Sequence, residues 1–327
     1  MRIIDGYEIG KINIPPALAL ETVDKTLRAK YEDVLPPKIS MPLPGHKFIN
    51  VMPAIVPSLN AAGVKIVSRY PERSPSLRSQ ILLYDLRTGE PKALMNADLI
   101  TSLRTAAVAV HSVRLLAKSG WSSVALIGLG DIGAHIADML SATADRDLEL
   151  RLYDHKNRAA DFAAKHCSGK ISRKIFGDYE EMVSDADVVI SAVGYTEEDL
   201  APASAYKKGV LVVPVHTRGF MDCDLHFDKV VCDDRAHISK FRYYREFENR
   251  LPETSEILLG MAPGRENDEQ RILSYSIGIA LHDVVFAEMI FGMTEKIKPR
   301  RAVVNIFRAY IKSVAYSFAR HIEKLPA

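Results

Sequence analysis

The chain has 327 residues, with 43 basic and 41 acidic side chains and a formal net charge of +2. So balanced a charge gives no reason to expect a nucleic acid or another polyanion as partner. The hydrophobic (47%) and charged (26%) fractions suit a globular protein of about two domains. No apolar run approaches the roughly 20 residues of a membrane span. The opening "MRIIDGYEIGKINIPP" mixes acids with its apolar residues, unlike a secretory signal. Cys167, Cys223 and Cys232 form no CxxC pair and are odd in number, so free thiols in a reducing cytoplasm are expected.

In chain order, residues 1 to about 118 mix strand-like and helix-like patterns. "VLPPKISMPLPGHKFINVMP" must run extended or turn, because proline removes donors and restricts its predecessor. "AAGVKIVSRYPE" reads as a strand. "RSQILLYDLRTGEPKALM" reads as a hairpin with "RTGE" at its tip. "NADLITSLRTAAVAVHSVRLLAKSG" reads as one helix, capped by Asn96 or Asp98 and ended by Gly120. From about 120 to 235 short β-branched runs alternate with helical stretches: "SVALIG", "LELRLYD", "KISRKIF", "ADVVISAVG", "GVLVVPV" and "DKVVCDD". That alternation predicts a parallel sheet covered on both faces. Beyond about 275, "RILSYSIGIALHDVVFAEMIFGM" and "AVVNIFRAYIKSVAYSFARHI" read as apolar helices, at least one packing back on the N-terminal part. The expected fold is α/β. A Rossmann dinucleotide-binding domain over 119–275 joins a discontinuous α+β substrate and dimerisation domain from 1–118 and 276–327.

"SSVALIGLGDIGAHIADML" holds a strict GxGxxG at Gly128, Gly130 and Gly133, between a strand and a helix. The first glycine permits the sharp turn, the second lets a pyrophosphate approach the backbone, and the third lets helix pack on strand. The phosphates then meet the unpaired amides and positive end of the helix. Asp154, 21 residues after Gly133, ends the next strand. It would bond the adenosine ribose hydroxyls and repel a 2′-phosphate, favouring NAD; Lys156 and Arg158 leave NADP possible. Leu129, Asp131 and Ile132 fill the turn, with Asp131 expected to point away from phosphate. Val193, near the end of "ADVVISAVG", completes the candidate cofactor set.

A dinucleotide fold does not fix the reaction. "GVKIVSRYPE", "ILLYDLRTGEPKALMNADLITSLRTAAVAV", "VALIGLGDIG" and "ILSYSIGIALHDVVFAEMIF" together resemble the ornithine cyclodeaminase/mu-crystallin family, over about residues 35 to 292. The resemblance implies a homodimer that handles α-imino or α-amino acids with a nicotinamide cofactor. It places Arg104 on the family arginine that grips the substrate carboxylate, a role suited to a planar two-point fork. Lys65 falls on the lysine near the reacting carbon, where an ammonium holds the carboxylate or moves a proton. Lys38 stands where many members have a second carboxylate-binding arginine, keeping the charge without the fork.

Two departures from the family pattern stand out. Asn50, in "FINVMP", replaces the acid that holds a distal amino group in ornithine cyclodeaminases, and Arg218, in "HTRGF", falls where their catalytic aspartate would be. A diamine substrate thereby loses its partner and its base. His216 in the same loop is a candidate proton donor, or a loop histidine bonded to backbone. Arg218 is a candidate for a second carboxylate or a cofactor phosphate, or for a salt bridge to Asp222 or Asp224. Those two acids bracket Cys223 with no third ligand, so no metal site is expected. The run "HISKFRYYREFENR", neutralised by its glutamates, is expected to be a solvated helix face. The resulting reading is an NAD(P)H-dependent imine reductase or amino-acid dehydrogenase acting on a small imino or amino acid. The rival readings are a cyclodeaminase, an opine-type dehydrogenase and a non-catalytic cofactor-binding crystallin.

Overall fold

The computed structural model describes residues 1–294; the apolar stretch 302–322 lies outside the described residues. The first sheet has six strands: β1 (Arg2–Ile4), β2 (Ile39–Leu43), β3 (Lys47–Val56), β4 (Ala61–Arg69), β5 (Leu77–Asp85) and β6 (Pro91–Asn96). Their spatial order is β1-β6-β5-β4-β3-β2, antiparallel except for the β1–β6 edge pair. The proline-rich stretch becomes β2 and β3. Pro42 lies in the edge strand, where the ladder does not need its missing donor. Along β4 every second residue is buried: Ala61, Gly63, Lys65, Val67 and Arg69. Two of these five are cations, so the covered face of this sheet is not simply a core.

Helix Ala280–Thr294 crosses that face and packs on β3, β4 and β5. It lies so close at Gly63 that an added Cβ would come within 2.9 Å of Val284. Helix Asp98–Leu116 sits between the two sheets, with every residue from Ile100 to Val113 buried. It has the length and hydropathy of a membrane span, correcting the expectation that no run does, but 83% of that window is buried within the protein. A helix apolar all round is what a core position between two layers requires. Its N-cap is Ala97, not a polar residue. Asn96 accepts from the Asp98 amide, and Asp98 reaches back to the Ser79 amide on β5. The helix stops at Leu116, ahead of Gly120.

The second sheet is parallel throughout, with strands β7 (Ser123–Ile127), β8 (Leu148–Tyr153), β9 (Ile171–Ile175), β10 (Val188–Ser191), β11 (Leu211–Pro214), β12 (Lys229–Cys232) and β13 (Ile272–Tyr275). The order is β12-β13-β11-β10-β7-β8-β9. The chain runs β7, β8, β9 to one side and then returns to place β10 on the other flank of β7. This is the switch point where such sheets hold ligands. β13 overturns the helical reading of "RILSYS". Four residues buried on both faces carry no period that separates strand from helix, and Gly278, at φ +90°, divides them from the true helix. "HISKFRYYREFENR" is likewise not one solvated helix. It breaks into short turns whose Phe241, Tyr243, Tyr244 and Phe247 join the core beside β12 and β13.

Candidate active site

The glycine turn lies at the carboxyl end of β7, and helix Asp131–Thr143 follows it directly. Gly128 has φ +86°, and a Cβ there would overlap the carbonyl of Ala192, the residue after β10. A Cβ on Gly133 would overlap the Gly128 carbonyl. Gly130 is different: nothing lies within 4 Å of its added Cβ. The outer glycines are thus required by packing and the middle one leaves open space. No side chain caps the helix, whose N-cap is Gly130 itself. Open space over uncapped amides fits a pyrophosphate. Asp131 is exposed in the first turn, Leu129 is buried in the turn, and Ile132 packs partly against the core. Val193 follows Ala192, and its amide faces the Gly128 turn across the switch point.

Asp154 comes one residue after β8. Its Oδ2 accepts from the Arg158 amide at 3.0 Å and from Arg158 Nε at 2.9 Å. Burial opposes its charge, but Arg158 and the Lys156 amide outweigh that and hold the carboxyl below its usual range. An ionised acceptor, bonded to Arg158, therefore stands just beyond the carboxyl end of β8, the strand that pairs with β7.

Arg104 and Lys65 come together, although one is on a helix and the other on a strand. Lys65 Nζ and Arg104 Nε donate to the same oxygen, Oδ1 of Asp283, at 2.7 and 2.9 Å. All three are buried, Asp283 completely. Two cations on one carboxylate leave the cluster short of negative charge, which an anionic ligand would supply. Burial and the adjacent Arg104 push the Lys65 ammonium down to about 7, against the pull of Asp283. Burial alone would raise Asp283, but the two cations hold it below its usual range. Among the described residues no group accepts from Arg104 Nη1 or Nη2, so the end of the fork is open. Its guanidinium lies against Gly278, where an added Cβ would overlap Nη1.

Lys38, just before β2, is half-buried and makes no hydrogen bond or ion pair among the described residues. Burial and Arg104 lower its pKa, while Asp233 opposes them. Asn50 lies on the covered face of β3, but its Oδ1 accepts from Ser40 Oγ at 2.8 Å. His216 is placed elsewhere, beyond β11, with Nε2 2.7 Å from Ser191 Oγ. Burial takes its pKa down to about 4, so at neutral pH the ring carries no extra proton to donate. Arg218 does not pair with Asp222 or Asp224. Its Nη1 meets the Tyr195 hydroxyl at 3.3 Å. Asp222 accepts from the Ala203 amide and Asp224 from the Tyr275 hydroxyl.

Three buried groups at this site escape the sequence reading. Asp283 and its neighbour His282 lie in an apolar helix, and a charged residue in such a helix is itself a signal of a buried partner. His282 is fully buried with neither ring nitrogen bonded, and burial pushes it down to about 3. Asp233 follows β12, at the carboxyl end of a parallel strand. Its Oδ2 accepts from the Gly278 amide at 2.6 Å, and burial raises it to about 6.

Comparison with known proteins places this architecture. The Nodulation efficiency protein NfeD of Rhizobium meliloti is 30% identical over 91% of this chain and 96% of its own. An N-((2S)-2-amino-2-carboxyethyl)-L-glutamate dehydrogenase of Staphylococcus aureus is 29% identical over 66% of this chain and 68% of its own. The solved Delta(1)-pyrroline-2-carboxylate reductase of Thermococcus litoralis, in complex with NADH and L-proline, superposes with a TM-score of 0.81. It is 23% identical and the match covers 89% of this chain and 97% of that one, so it speaks for the fold alone. Residues 17–298 match the profile of the Ornithine cyclodeaminase/mu-crystallin family, and the chain belongs to that family.

Proposed function

We propose that this protein is an NAD(H)-dependent oxidoreductase that reduces the C=N bond of a small α-imino acid, or runs the reverse reaction on the amino acid. The observation that carries this reading is the convergence of Lys65 and Arg104 on one oxygen of Asp283, which leaves the guanidinium end free. Asp283 fixes Arg104 through Nε, so Nη1 and Nη2 present a pre-set fork to the substrate carboxylate. Lys38 adds a second positive charge on the same side. Lys65, held at about 7, is matched to proton transfer near neutral pH and serves the substrate nitrogen. The bound nicotinamide supplies the hydride chemistry. Gly128, Gly130 and Gly133 hold its pyrophosphate, Asp154 reads the ribose and favours NAD over NADP, and Val193 lines the turn at the switch point. His216 positions Ser191 and does not donate the proton. Asn50, bonded to Ser40, offers no charge to a distal amino group, which argues against a diamine substrate.

Relatives named for reductase and dehydrogenase chemistry at carbon–nitrogen bonds support the reading. We further infer a cytoplasmic homodimer with a substrate and dimerisation unit built on the first sheet. Exposed Ile39, Met41 and Ile66 on that sheet support such a contact. The test is oxidation of NADH and NADPH with cyclic imino acids and with keto acids plus ammonia. Wild type should turn over, NADH faster than NADPH, and Arg104→Lys should lose about 100-fold in kcat/KM because the fork is gone. Tight NADH binding with no oxidation by any imine would sink the proposal.

A further inference from the structure

Arg69 ends β4, on the same covered face as Lys65 and four residues along, about 13 Å by strand geometry. Its guanidinium lies against Gly194, just after the β10 segment that meets the glycine turn; an added Cβ there would stand 3.4 Å from Nη2 and 3.8 Å from Nε. It is therefore at the seam between the two sheets. The residue is only 8% exposed. Nη1 donates to the His46 carbonyl at 2.7 Å, while Nε is buried with no partner. Among the described residues no carboxylate pairs with it. A buried cation normally has one, as Arg104 and Lys65 do.

Tyr195 lies beside it, with Arg69 5.5 Å and Arg218 5.9 Å from the ring centre. Glu197 accepts from the Tyr195 hydroxyl at 2.9 Å and lies 3.8 Å from His46, well exposed, and among the described residues it forms no ion pair with either arginine. Two guanidinium groups thus lie near one aromatic ring at the seam between the sheets, and among the described residues the inner one has no carboxylate partner.

We propose that Arg69, assisted by Arg218, is a specificity-determining pair that binds a second carboxylate on the substrate, so that the preferred substrate is an imino diacid. This rests on the imine-reductase reading above. Arg104, Lys38 and Lys65 take the carboxylate next to the reacting carbon, and Arg69 takes the distal one.

The experiment compares two imines formed with ammonia, one from 2-oxoglutarate and one from 2-oxohexanoate, by NADH oxidation in wild type, Arg69→Gln, Arg69→Lys and Arg218→Gln. Wild type should favour the diacid. Arg69→Gln should lower the diacid-to-monoacid ratio of kcat/KM by about 10- to 100-fold, mainly through KM, as loss of a charge-assisted contact implies. Arg69→Lys should recover part of it, and Arg218→Gln, at an exposed position, should lower it less. Should Arg69→Gln not fold, the other two variants decide. An NADH affinity that falls as far as the diacid ratio would assign Arg69 to the cofactor and overturn the proposal. So would an unchanged ratio, or a wild type that reduces the monoacid as well as the diacid. Failure of wild type on both imines would instead remove the imine-reductase reading, and this inference with it.

Discussion

Asp283→Asn changes one charge and almost no volume at the centre of the site. The wild-type carboxylate oxygen receives Lys65 at 2.7 Å and Arg104 at 2.9 Å with no solvent access. Removing one partner from a buried ionic cluster costs about 3–5 kcal/mol. For a chain of this size that is a fall of roughly 4–7 °C in Tm. The pH dependence makes the prediction specific. In wild type Lys65 sits at about 7 when folded, against an ordinary 10.5 when unfolded. Without its anion the folded value drops further, while the unfolded value is unchanged. Above about pH 7 the amine is neutral in both folded proteins, so the stability gap between them is constant. Below about pH 7 the wild-type lysine is protonated folded and unfolded alike and adds no slope. The variant must still release a proton to fold, so it loses a further ~1.4 kcal/mol per pH unit. Thermal melts of both proteins from about pH 8 to pH 5.5 check this. Adding Lys65→Met to both should abolish the extra slope. A gap that stays constant down to pH 5.5 would show that Asp283 does not hold the lysine charge.

Two further substitution sets test the remaining parts of the site. Gly130→Ala should melt within about 0.5 kcal/mol of wild type yet bind NADH at least tenfold more weakly, by fluorescence titration, because its Cβ enters only the space left for pyrophosphate. Gly128→Ala and Gly133→Ala should instead lose about 2 kcal/mol or more of stability, since their Cβ atoms overlap backbone; identical behaviour of all three would refute this reading of the turn. His216→Gln should keep kcat/KM within about tenfold and leave its pH profile unchanged above pH 6, because the ring is uncharged there. Loss of an ionisation near pH 6–7 in that variant would restore His216 as the proton donor.

Short-range pattern carried much of this protein. The hairpin of β5 and β6, the strand β4 and the six parallel runs from "SVALIG" to "DKVVCDD" follow from periodicity and turn residues alone. The GxGxxG works the same way, because each glycine answers a local demand of one turn between one strand and one helix. The tertiary structure decided what depends on contacts far apart in the chain. β13 is a strand only because β11 and β12 flank it, and no period within four doubly buried residues could say so. Arg104, Lys65 and Asp283 are 179 and 218 residues from partner to partner. The sequence marked the two cations as candidates, but the shared carboxylate that aims one and lowers the pKa of the other exists only once helix Ala280–Thr294 lies across β4. His216 and Arg69 show the same limit. A loop histidine looks like an acid until burial takes its proton away. An arginine at the end of a strand looks like a solvated charge until the second sheet closes over it, because desolvation is a property of the packed layers and not of the residue.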